Sequence, residues 1–167
     1  EANLKIAARR IMWGKTINAG QTCIAPDYLF VHESVKAELF AEMKQAIHDF
    51  FGENPETSPF FPRIVNDKAM ERLLPLLEQG DIVFGGENNR AERYIAPTVI
   101  DNVQPDFAIM QEEIFGPILP VLTFNDINTV INYVNTHEKP LAFYYFGDHK
   151  KAKAVLAQTT SGGACVN

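Results

Sequence analysis

Ile118-Leu119-Pro120-Val121-Leu122-Thr123-Phe124 decides the fold class. The run is apolar at successive positions rather than alternate ones, so as a strand it keeps no face for water. A strand buried on both faces belongs to a sheet covered on both sides, the arrangement made by parallel strands with helical connections. Other β-rich runs lie at Tyr28 to Val31, Ile82 to Phe84, Leu141 to Phe146 and Ala164 to Val166, with helical patterns between them. The expectation is an α/β fold with an open, mostly parallel sheet and helices on both faces.

The helical segments are legible from spacing. Leu4 to Ile17 is amphipathic, and Val35, Leu39, Met43, Ile47 and Phe50 form an apolar stripe behind Ser34, a candidate N-cap. Ile127, Val130, Ile131 and Val134 repeat the pattern behind Asp126. Asn66 to Gln79 presents Met70, Leu73, Leu74 and Leu77, but Pro75 lacks an amide and should kink or split that helix. Another short helix starts near Asp148. The Gly-, Pro- and Asn-rich loops at 52–62, 85–89 and 161–163 carry neither GxGxxG nor GxxxxGK[ST], so no phosphate-binding motif for a dinucleotide is present.

Composition narrows the function. With 167 residues, 46% of them hydrophobic, residues 1–167 suit one domain with a single core. The net charge is −6 and the fifteen Lys and Arg are scattered, which argues against nucleic acid as a partner. The two cysteines, Cys23 and Cys165, belong to no CxxC or Cys/His cluster, which suits a reducing compartment and argues against a disulfide scaffold or structural zinc. Cys165 reads as a small buried strand residue. His32-Glu33 lacks the second histidine of HExxH, and His48, His137 and His149 read as surface or helix-rim residues, so no metal is assigned. No signal peptide or bilayer-length apolar run is present, which points to the cytoplasm, although an anchor beyond Asn167 would lie outside the sequence. The chain opens without methionine, already in a helical pattern, and closes on Ala164-Cys165-Val166-Asn167; we read it as a segment of a longer protein.

Two motifs carry chemistry. Gly20-Gln21-Thr22-Cys23 lies where a helix gives way to a strand, and Gly20 lets the backbone fold closely around whatever is held there. A thiol on such a turn can approach a carbonyl carbon. Free cysteine is more often buried and inert, so position alone does not make Cys23 a nucleophile. About ninety residues later the chain runs Met110-Gln111-Glu112-Glu113-Ile114-Phe115-Gly116-Pro117. In an extended segment residues i and i+2 face one side, so Glu113 and Phe115 can line one pocket. Asn18 reads as a turn former rather than an oxyanion donor.

In this order and at this separation, the two motifs resemble the nucleophile and cofactor-facing motifs of the aldehyde dehydrogenase catalytic domain. Ile24-Ala25-Pro26-Asp27-Tyr28, Tyr94-Ile95-Ala96-Pro97-Thr98-Val99 and Ser161-Gly162-Gly163 look like the class 3 branch, which takes fatty and aromatic aldehydes. The resemblance implies that the Cys23 thiolate attacks an aldehyde to give a thiohemiacetal. Hydride then passes to NAD or NADP, and water hydrolyses the resulting thioester. It implies that Glu113 accepts from the cofactor ribose while Phe115 packs beside the nicotinamide end. The family's water-activating glutamate and oxyanion-hole asparagine lie upstream of this segment. The Cys23 backbone N–H is then the hole component supplied here. The cofactor domain would belong to the same polypeptide, and class 3 relatives are commonly homodimers.

Two other readings are weighed. A cysteine-dependent esterase or peptidase would need a histidine within hydrogen-bond reach of Cys23 Sγ. A non-catalytic interaction module would show an inert Cys23 and no concave surface around it. Neither has a use for the Glu113 and Phe115 motif.

Overall fold

The computed structural model describes residues 2–167. Helix α1 spans Leu4–Thr16, with the Asn3 side chain accepting from the Ile6 amide, and buries Ala7, Ala8, Ile11, Met12 and Lys15 along one stripe. Strand β1 is Leu29–His32, and helix α2, Lys36–Phe51, buries Leu39, Met43, Ala46 and Ile47 before Gly52 ends it at φ +78. Helix α3 is Asp67–Leu73, capped by Asn66, and a 3₁₀ turn over Leu74–Glu78 replaces its continuation at Pro75. Strands β2 (Asp81–Phe84), β3 (Asn88–Asn89), β4 (Tyr94–Ile95), β5 (Thr98–Asp101) and β6 (Ile118–Phe124) follow. Helix α4 is Ile127–Thr136 behind Asp126, β7 is Ala142–Tyr145, α5 is His149–Leu156 behind Asp148, and β8 is Gly163–Val166.

The main sheet has the order β1-β6-β5-β2. β6 is parallel to both neighbours, with Leu29 opposite Val121 and Thr98 opposite Ile118. On one face Leu119 and Val121 join Val31 and Val99 in a core with α1 and α2. On the other, Ile118 and Ile100 pack with Met70, Leu73 and Leu77 of the α3 region. That double coverage is why β6 reads as continuously apolar. Each of its fully buried branched side chains contributes about 1.5–3 kcal/mol to the core. β7 and β8 form a separate parallel pair, with Tyr144 opposite Cys165.

Several local expectations change. Ser34 does not cap α2: it lies in a 3₁₀ turn, its amide donating to His32 Nδ1, and α2 begins behind Val35 without a side-chain cap. β2 is an antiparallel edge strand with a register shift between Ile82 and Phe84, and it is largely exposed. Cys165 is in a strand but exposed. β5 was not anticipated: Thr98 and Val99 were read only as part of the motif that contains Pro97, and it is pairing with β2 and β6 that makes Thr98–Asp101 a strand. The β3–β4 pairing falls partly in the segment expected to be a loop. Among the described residues no helix is long and apolar enough to cross a membrane.

Candidate active site

Beyond α1 the chain turns through three left-handed residues, Asn18 (φ 52), Ala19 (φ 53) and Gly20 (φ 72). Asparagine and glycine tolerate this region; Ala19 does so at a cost of about 1–2 kcal/mol and is fully buried. Gln21 holds the turn. Its Nε2 donates to the carbonyls of Asn18 (2.9 Å) and Arg63 (3.1 Å), and its Oε1 accepts from the Val65 amide (2.8 Å). Asn18 Nδ2 in return donates to the Gln21 carbonyl at 3.0 Å, the turn-forming role expected of it. The Ala25 amide then donates to the Thr22 carbonyl at 2.9 Å, closing a four-residue turn with Cys23 at its first corner and its thiol exposed. The helix-to-strand turn expected at Cys23 is therefore present.

The second motif is irregular rather than a strand. Ile114 is 1% exposed, while Glu113 and Phe115 on either side of it are exposed. Phe115 adopts φ +48, a strained conformation for a bulky residue that costs about 1–3 kcal/mol. The main chain around Ile114 is held from two directions. Asp27 Oδ1 accepts its N–H at 2.9 Å, and the Arg72 guanidinium donates to the Ile114 carbonyl (2.5 Å) and the Glu113 carbonyl (3.3 Å). A side chain on Gly20 would overlap the Gly116 carbonyl, so the two motifs meet backbone to backbone.

Two further groups complete the electrostatics. Lys15 is 1% exposed at the end of α1. Burial pushes its ammonium down to about 8, and the Asp27 and Glu113 carboxylates pull the other way. The Tyr144 hydroxyl donates to the Ile24 carbonyl at 2.7 Å, tying β7 to the Cys23 turn. Its pKa is raised by burial and then by the Cys165 and Cys23 thiols.

Cys23, Glu113 and Phe115 thus lie on two exposed segments joined through Gly20–Gly116 and Asp27–Ile114. Gln21, Asp27, Arg72, Tyr144 and Lys15 were not expected from sequence as supports of this site. Lys15 had a signal, since it continues the Ala8 and Ile11 stripe at helical spacing. Arg72 and Tyr144 had none, because their partners are remote in sequence. The histidines bond elsewhere: His32 with Ser34 (2.9 Å), His48 with Glu53 (3.0 Å) and His137 with the Tyr133 carbonyl (2.7 Å). His149 contacts Asn167. The cysteine–histidine pair required of a hydrolase is therefore not favoured.

The model of the aldehyde dehydrogenase family matches residues 1–167. This chain belongs to the aldehyde dehydrogenase family. It is 46% identical over 168 residues to aldehyde dehydrogenase family 3 member A2 of Pongo abelii, a match covering 100% of this chain and 35% of that protein. It is 40% identical over 168 residues to a Mus musculus protein named aldehyde dehydrogenase, dimeric NADP-preferring, covering 100% of this chain and 37% of that one. Among solved structures it superposes with TM-score 0.96 and 46% identity on that of Staphylococcus aureus AldH in a substrate-bound state, covering 99% of this chain and 37% of that one. The chain spans little more than a third of the length of these aldehyde dehydrogenase relatives. The resemblance to class 3 and the mostly parallel α/β sheet with helices on both faces agree with these similarities.

Proposed function

We propose that residues 1–167 are the catalytic domain of an NAD(P)-dependent aldehyde dehydrogenase that oxidises an aldehyde to a carboxylic acid. The observation that carries this reading is the backbone junction of Gly20 with Gly116, which sets the Cys23 turn beside the Glu113–Phe115 segment. A nucleophile and a cofactor-facing pair are useful together only if they are neighbours.

Cys23 Sγ, as thiolate, forms a bond to the aldehyde carbon, and the carbonyl electron pair moves to oxygen. Among the described residues the Cys23 amide has no hydrogen-bond acceptor, so it can donate to that oxygen. Hydride leaves the same carbon as the C=O bond re-forms, giving a thioester on Cys23. Water then adds, the C–S bond breaks, and the acid departs.

The residues present fit the nicotinamide end of a cofactor. Glu113 offers an exposed carboxylate that accepts from ribose hydroxyls, and Phe115 offers a 40% exposed ring to a planar group. A bound nicotinamide supplies the acceptor for the hydride. The mouse relative's name supports use of NADP by a protein of this kind, and its word dimeric supports a homodimer for the whole polypeptide. The cofactor-binding domain belongs, in this reading, to the same longer polypeptide. Two unpaired, exposed thiols suit the cytoplasm.

The test is to supply the full-length enzyme with fatty and aromatic aldehydes and either nicotinamide cofactor, following reduced cofactor and carboxylic acid together. Stoichiometric formation of both supports the proposal. Ester hydrolysis without any cofactor-dependent oxidation would favour the hydrolase instead.

A further inference from the structure

Arg72 is in the last turn of α3, and its planar fork spans two successive carbonyls of the segment assigned to the cofactor, Glu113 at 3.3 Å and Ile114 at 2.5 Å. These bonds go to main-chain oxygens and leave the Glu113 carboxylate unencumbered. From the other side Asp27 Oδ1 takes the Ile114 N–H at 2.9 Å. Both main-chain polar groups of Ile114 are therefore held by side chains, the Asp27 carboxyl and the Arg72 guanidinium, and its own side chain is 1% exposed. Charge-assisted hydrogen bonds are about twice as strong as neutral ones. Strained conformations such as Phe115 at φ +48 persist where their surroundings over-determine them, and this clamp is next to it.

We propose that Arg72 is a positioning residue for hydride transfer. By holding the Glu113 and Ile114 carbonyls, it fixes the direction in which the Glu113 carboxylate and the Phe115 ring project. The proposal rests on the reading that Glu113 and Phe115 orient the nicotinamide end. A lysine keeps the charge but lacks the fork, so it can hold one carbonyl at a time. A glutamine keeps one weaker donor group and no charge.

Four variants of the full-length enzyme test this: Arg72→Gln, Arg72→Lys, Glu113→Gln and the double variant Arg72→Gln/Glu113→Gln. The readouts are single-turnover hydride transfer from an aldehyde deuterated at its carbonyl carbon, cofactor Kd and thermal unfolding. Arg72→Gln should slow the hydride step about ten-fold with a smaller change in Kd, and Arg72→Lys should recover part of that loss. The double variant should lose less than the product of the two single losses, because part of the effect of Arg72 runs through Glu113. Lower thermal stability with an unchanged hydride step in Arg72→Gln, while Glu113→Gln is slow, overturns the clamp alone. Additive losses in the double variant overturn it too, by placing the effect of Arg72 elsewhere. An unchanged hydride step in Glu113→Gln instead sinks the assignment of Glu113, and the clamp with it. Should Arg72→Gln not fold, Arg72→Lys must still show the slowed step, and a full rate there contradicts the proposal.

Discussion

Gly20 lies so close to the carbonyl of Gly116 that a methyl group on Gly20 would occupy the carbonyl's position. Gly20 is also at φ +72, where any other residue is strained. The two motifs are thus coupled through a contact that only glycine allows. Gly20→Ala should destabilise the chain by at least about 2 kcal/mol, from positive-φ strain plus displacement of the 116 backbone. Urea unfolding measures this, and a loss under about half a kcal/mol would show that the junction is looser than described.

Lys15 supplies a pH-dependent prediction. Its folded pKa of about 8 lies below the ordinary 10.5, so at pH 7 both folded and unfolded chains hold the proton and the full cost of burying the charge is present. As pH rises from about 8 towards 10.5, the folded chain releases the proton first and that cost fades. Lys15→Met should therefore stabilise the chain at pH 7 by on the order of 3 kcal/mol, with the advantage shrinking towards pH 10.5. Unfolding curves of both forms across this range check it, and an advantage that grows with pH would contradict the sign.

Glu113→Gln in the full-length enzyme should lower the rate of hydride transfer more than it weakens cofactor binding. An amide accepts from one ribose hydroxyl but turns a donor towards the other, so orientation suffers before affinity. Single-turnover kinetics beside a cofactor titration separate the two. A normal hydride step with weakened binding would make Glu113 a simple affinity contact.

Much of the fold was legible because burial on both faces leaves a mark in sequence. β6 reads as continuously apolar since α1 and α2 cover one side and the α3 region the other. Pro75 marked the point where a helix becomes a 3₁₀ turn. Ser34 misled because a good capping residue type was already engaged by the His32 ring, a contact invisible to propensity. Cys165 misled because, among the described residues, its strand pairs with β7 alone, leaving its side chain exposed and outside both core clusters. At the candidate site, Cys23, Glu113 and Phe115 were proposed from the two motifs and their family resemblance. Their supports, Asp27, Arg72 and Tyr144, act on main-chain atoms many residues away, and such bonds impose no local pattern.

Cys23 as nucleophile is tested most directly by turnover of Cys23→Ala in the full-length enzyme, with cofactor binding measured on the same sample. Cys23 is an exposed thiol on a turn held by Gln21 and Gly20, and in the proposed mechanism its bond to the aldehyde carbon is the step every later one needs. Aldehyde oxidation should fall to background while cofactor affinity stays nearly unchanged. Substantial residual oxidation with either nicotinamide cofactor would contradict that role.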